Sequence, residues 1–256
     1  MIITDQFVML NNPKTGSTFA RKAISLAYDS YNRHNKSMRN MIQLQLPNIR
    51  VRGSSSKSDQ HGTYQQIPIS HREKPVFSIM RHPVNRLISS YNSLYWKYPD
   101  SASLAVARAK FPHFPELSLA EYLDYEVFRI PLRVGFTPTE SLGPQSIHFI
   151  QMFFRDPRWV LRIRDLARFE DQAIFEYMGA VQFLRQEHLR SDIAQLLMRF
   201  GFSEHDLAPV YSIPNSNCSH HRPISNEELL CISERVTRQE GLLFRFAAHT
   251  GLAWVA

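Results

Sequence analysis

Lys14, Thr15, Gly16, Ser17, Thr18 and Phe19 are the residues whose types and order most clearly suggest chemistry. They follow Asn12 and Pro13, between a short apolar run and a helical repeat. A loop in that position aims backbone NH groups at whatever sits before the helix, which suits an anion. Gly16 lets the backbone come close to a ligand, Ser17 and Thr18 add hydroxyl donors, and Lys14 adds a mobile positive charge. The pattern reads as a phosphate cradle. It departs from the loop of ATPases and GTPases, which sets four residues between two glycines and follows the second with Lys and Ser or Thr. Here Lys14 precedes a single Gly16.

A second anion site is expected around Arg81 and Ser89. Arg81 ends an apolar run, and Pro83 suits the first turn of a helix. Ser89 then lies less than two turns into that helix and Arg81 just outside it, so both side chains can reach one phosphate. Arg81 brings a forked, charge-assisted contact, and Ser89 a neutral donor. Arg86, in the same segment, reads as a solvated helix charge, with bracing the motif or pairing with an acid as the alternative.

Pro13 to Thr18 resembles the 5′-phosphosulfate loop of PAPS-dependent sulfotransferases, where PAPS is 3′-phosphoadenosine-5′-phosphosulfate. Arg81 and Ser89 resemble that family's 3′-phosphate motif. The resemblance implies an α/β chain with one P-loop-like sulfotransferase domain over residues 1–256. It implies that Lys14 meets the bridging oxygen, that residues 14–19 hold the 5′-phosphate, and that Arg81 and Ser89 hold the 3′-phosphate. The implied reaction is in-line transfer of a sulfuryl group to a hydroxyl, leaving PAP, with no metal required. Ala180 to Asp192, with Arg185, Glu187 and Leu189, resembles the segment after the family's later strand. Asn215 to Pro223 falls where relatives place a loop closing over the nucleotide, which adds His221 and Arg222 to the cofactor-binding set.

A base should take the hydroxyl proton, and histidine titrates near neutrality. Several relatives acting on carbohydrate carry a histidine before the second strand. His61 occupies that zone and is the expected base; His71 is its competitor, and a glutamate or no base is the remaining option. A carbohydrate acceptor is expected from the His61 pattern, the basic charge and the aromatic-rich middle, with phenols, lipids and peptide tyrosine left open. Two rivals are a phosphotransferase with a degenerate loop and a non-catalytic nucleotide- or polyanion-binding module.

The elements that must position these residues follow from apolar periodicity. Phe7 to Leu10, Pro75 to Met80 and Ala180 to Leu184 read as buried strands. Helices are expected from Thr18, with Ala20, Ala23, Ile24, Ala27 and Tyr28 inward, and from Pro83, with Val84, Leu87, Ile88, Tyr91, Leu94 and Tyr95 on one face. Tyr31 to Gln66 should hold little regular structure, with a mobile loop over Gly53 to Ser58. Pro99 to Arg168 gives helical patches of unassigned order, expected on the acceptor side. A helix from Ser191 to Phe200 should stop at Gly201. A last one opens at Ser225 and Glu228 and carries Leu229, Ile232, Val236, Leu243 and Phe246 inward. Strands alternating with helices predict a parallel sheet covered on both faces.

The 256 residues include 30 Lys and Arg against 23 Asp and Glu, a formal charge of +7 that favours an anionic partner. The arginines are spread over helical patches instead of forming a basic arm, which argues against nucleic acid. Cys218 and Cys231 are too few for a disulfide framework, and the start of the chain lacks a signal-peptide pattern, so a cytoplasmic location is the expectation. No apolar stretch approaches the roughly 20 residues that span a bilayer. His220 and His221 are adjacent and do not form a metal-ligand array.

Overall fold

The structure is a computed structural model and describes residues 1–50, 57–97, 101–160, 171–214 and 224–252. Its strands are β1 (Ile2–Thr4), β2 (Val8–Leu10), β3 (Met41–Gln43), β4 (Leu46–Pro47), β5 (Ser58–Asp59), β6 (Val76–Met80) and β7 (Val181–Arg185). The helices of the first half are α1 (Ser17–His34), α2 (Pro83–Asn92), α3 (Ser101–Lys110) and α4 (Leu119–Val134). Those of the second half are α5 (Pro144–Phe153), α6 (Pro157–Val160), α7 (Asp171–Tyr177), α8 (Leu189–Arg199), α9 (Glu204–Tyr211), α10 (Asn226–Gln239) and α11 (Gly241–Thr250).

Five strands form a mixed sheet in the order β3-β1-β2-β6-β7, and β4 pairs with β5 separately. β2, β6 and β7 are parallel, with Val8 opposite Val76 and Ser78 opposite Phe183. β1 runs antiparallel to β2 and to β3, which corrects the expectation of a wholly parallel sheet. Three residues separate β1 from β2. A parallel return needs a crossover of about a dozen residues or more, so only antiparallel pairing is open to so short a link. β3 lies in the stretch expected to lack regular structure, and it escaped notice because its residues are largely exposed and carry no buried run.

Alternation along the strands builds two cores. Val8, Leu10, Val76 and Met80 face Ile147, Ile150 and Phe246 of α5 and α11. Met9, Phe77 and Ile79 face the opposite side, against Ala20, Ile24, Ile193 and Leu197 of α1 and α8. A third cluster joins α2, α4 and α10 around Trp96, Tyr122 and Ile232. The fold is thus mixed α/β, with a central, mostly parallel sheet flanked by helices.

Several boundaries differ from expectation. The helix expected to run unbroken from Ser225 divides at Glu240 into α10 and α11, and Leu229 is exposed instead of inward. α2 ends at Asn92, so Leu94 leaves the stripe; it is 47% exposed and has a φ of 58°. Ser58 opens β5, while residues 53–56 of the expected loop lie outside the described residues. Among the described residues, no helix is long and apolar enough to cross a membrane.

Candidate functional site

The loop between β2 and α1 has the backbone of an anion cradle. Lys14 has a φ of 66° and Gly16 a φ of 95°, so two left-handed residues bracket Thr15 and turn successive NH groups toward one point. The first intrahelical bond of α1 runs from the Ala20 NH to the Gly16 carbonyl at 3.1 Å. The NH groups of Ser17, Thr18 and Phe19 precede it, no side chain caps them, and no acid stands in the first turn. Glycine suits position 16: its φ strains other residues, and an added Cβ would lie 2.6 Å from Leu189 Cδ2, which would have to shift.

The side chains of the loop divide their work. The Thr15 hydroxyl is fully buried and donates to the Asn12 carbonyl at 2.9 Å, so it closes the loop from within instead of facing a ligand. Phe19 packs into the core under α1, with the Arg190 guanidinium 5.3 Å from its ring centroid. What Phe19 can offer a ligand is its backbone NH. Lys14 is half-buried, and its ammonium is held below its ordinary pKa, first by burial and then by the nearby Arg81 charge.

Arg81 reaches the same loop by donating from Nη1 to the Lys14 carbonyl at 3.3 Å. Its Nε is buried and, among the described residues, without a hydrogen-bond partner. An unpaired guanidinium NH beside an uncapped helix start fits a phosphate oxygen. Ser89 is half-buried on α2, and its neighbour Ser90 is bonded to the Tyr122 hydroxyl at 2.8 Å. Arg86 corrects the reading as a solvated charge. It is sunk beneath the loop, donates from Nε to the Pro13 carbonyl at 3.1 Å, and has its pKa pushed down to about 10 by burial, against the opposing pull of Glu240. It therefore braces the cradle.

Beside Lys14 opens a cavity of about 190 Å³. Tyr122, Glu126, Arg129 and Arg133 reach it from one stripe of α4, at steps of three and four residues. α4 is fixed at its start by a reciprocal cap: Ser118 NH donates to Glu121 at 2.8 Å and Glu121 NH to the Ser118 hydroxyl at 3.2 Å. Gln145, His148 and Gln151 reach the cavity from α5. The start of α5 is held by the buried Glu240 carboxylate, which accepts from Gln145 NH at 3.0 Å and from Ser146 NH and hydroxyl at 2.7 Å each. This inward turn of Glu240 lies at the break between α10 and α11, and burial raises its pKa against those hydrogen bonds.

His61 sits one ion pair behind this wall. Arg50 lines the cavity and pairs with Asp59 at 2.5 Å, and the other Asp59 oxygen accepts from the His61 NH at 2.7 Å. His61 Nδ1 lies 2.7 Å from the Asn11 carbonyl, which can only accept, so Nδ1 carries the proton and Nε2 keeps the lone pair. Burial is the largest cause of its lowered pKa, so the ring is neutral at pH 7. His71 lies in a 3₁₀ turn before β6 and is not among the residues that line the cavity. His148, which the sequence reading passed over, does line the wall, and its Nε2 is buried without a partner among the described residues. Burial first, then Arg86 and Arg50, push its pKa well below the usual histidine value.

His221 and Arg222 lie outside the described residues. Glu187, by contrast, stands close enough to Arg81 to oppose its pKa shift. Among the described aromatics, Trp96, Phe114, Tyr122 and Tyr125 pack on one another, with Trp96 and Tyr122 centroids 5.0 Å apart. Of these four, only Tyr122 reaches the cavity. A scan against protein-family models finds no match, and a search of curated proteins finds no similar sequence.

Proposed function

We propose that this chain is a PAPS-dependent sulfotransferase of the P-loop-like type that acts on a hydroxyl acceptor, a carbohydrate being the preferred class. The observation that carries the reading is the junction at Lys14: an uncapped helix start, an unpaired Arg81 NH and a separate cavity meet at one lysine. Residues 14–19 would hold the 5′-phosphate, and Arg81 and Ser89 the 3′-phosphate. PAPS supplies an activated sulfuryl group. Lys14 neutralises charge that develops on the departing phosphate oxygen, where a preorganised cation is most effective. His61, held in the required tautomer by Asn11, receives the hydroxyl proton on Nε2.

A second base assignment rests on one observation: His148, not His61, lines the cavity. The phosphotransferase alternative is less favoured, because the two cavity carboxylates are already engaged: Glu126 with Arg129 at 2.6 Å and Glu240 with the start of α5. Incubation with sulfur-labelled PAPS and a panel of neutral and acidic hydroxyl compounds tests the reading. Equimolar PAP and labelled product are expected; magnesium-dependent phosphate transfer from ATP, with no PAP released, would overturn it.

A further inference from the structure

We propose that the acceptor is a hydroxylated acid, its carboxylate received by Arg133 and its body lying on the apolar side of the cavity beside Lys14. This rests on the sulfotransferase reading for the word acceptor, but the argument for an acidic ligand stands on the cavity itself.

Five cationic side chains line the cavity against two carboxylates. Four of the five are accounted for. Arg50 is paired with Asp59, Arg129 donates to Glu126 at 2.7 Å, Arg86 braces Pro13 with Glu240 close by, and Lys14 belongs to the phosphate loop. Arg133 is left. It is half-buried, makes no hydrogen bond or ion pair among the described residues, and stands one helical turn beyond Arg129 on the same stripe of α4. Its pKa is pushed down to about 10 by burial first and by Arg129 second, so it remains charged at pH 7 with a neighbour that repels it. The Nε of Arg129 is also buried and unpartnered. Two guanidinium groups that line one space match the planar fork of a carboxylate.

The rest of the wall limits the size and character of the ligand. Leu87, Leu123, Ile130, Val134 and Pro144 give it an apolar side. A volume of about 190 Å³ admits one ring and its substituents. An acidic sugar ring and a phenolic acid share this chemistry, and the test separates them.

Binding is measured by calorimetry in the presence of saturating PAP, with two matched pairs. One pair is p-nitrophenyl β-glucuronide and p-nitrophenyl β-glucoside, and the other is 4-hydroxybenzoate and 4-hydroxybenzyl alcohol. We expect at least one acid to bind about tenfold or more tightly than its neutral partner, the usual worth of a charge-assisted bond. Preference for the glucuronide assigns a sugar acid, and preference for the benzoate a phenolic acid. Arg133→Gln should abolish the preference while leaving the thermal shift given by PAP unchanged, which also shows that the variant folds. No preference for either acid, or a preference that survives Arg133→Gln, overturns the proposal. If PAP gives no thermal shift while either acid is still preferred without it and Arg133→Gln removes that preference, the nucleotide reading fails and the acidic ligand stands.

Discussion

Lys14 and Gly16 stand two residues apart in the chain, whereas Arg133, His148 and Glu240 on the adjoining cavity wall come from three separate parts of it. The loop between β2 and α1 is a local device: its NH groups are set by two left-handed residues and by the start of one helix. The wall is assembled by packing, with α4 presenting a stripe and α5 held in place by Glu240 from the turn after α10. The first kind of site can be damaged without disturbing the second. That separation should appear in measurement.

The largest effect is expected where the two regions meet. If His61 takes the proton, His61→Ala should lower transfer by roughly 100-fold to 10,000-fold while PAP affinity holds, and His148→Ala should cost far less. The reverse ranking would move the base onto the wall. If the parent protein catalyses transfer through His61, the rate should fall as pH drops through that residue's lowered pKa, because only the neutral ring accepts a proton.

Next in size, if the Lys14 charge acts on the transition state, Lys14→Ala should lower turnover by about 100-fold to 1,000-fold and change PAP affinity little. A loss confined to affinity would place Lys14 with the spectator contacts instead.

Folding stability sharpens the comparison further. Gly16→Ala forces a strained φ and a clash with Leu189, and should cost about 1–3 kcal/mol in urea denaturation and abolish the stabilisation given by PAP. Arg133→Gln removes a charge already repelled by Arg129, and should shift stability by no more than about 0.5 kcal/mol. Equal losses would mean that the wall is as integral to the loop as its own backbone.

A pH slope gives a further check on the wall. His61, His82 and His148 all have folded pKa values below the ordinary 6.5. Below about pH 6.5 the unfolded chain therefore binds more protons than the folded one, and stability falls as pH drops until the folded values are passed. His148→Leu should flatten part of that slope in melts between pH 7.5 and 5; an unchanged slope would remove His148 from the buried wall.

The contrast between loop and wall also explains what could be read from the sequence. The strand, loop and helix around Lys14 were legible because apolar runs, Pro13 and Gly16 are contiguous signals, and Pro83 announced α2 for the same reason. β1 and β3 were not, since one is fused to the next strand by three residues and the other is exposed. Arg86 looked like a surface charge because nothing local shows that the Pro13 carbonyl lies over it. Tyr122, Glu126, Arg129 and Arg133 did carry a signal, a polar stripe at helical spacing, but Glu121 and Asp124 give the same helix other charges and the side the stripe faces is decided by α2 and α5. Glu240 carried none, because its role lies in capping a helix that starts at Pro144, far earlier in the chain.

The central claim is that the loop and Arg81 together recognise a nucleotide with phosphates at both the 5′ and 3′ positions. Calorimetric titration of the protein with PAP and with AMP, which lacks the 3′-phosphate, tests it most directly. Removing a charge-assisted contact should weaken binding by roughly tenfold or more, so PAP should bind the parent protein at least that much more tightly than AMP. In Arg81→Ala the two ligands should become nearly equal. Equal affinities in the parent protein, or a preference for PAP that Arg81→Ala leaves intact, would contradict the account.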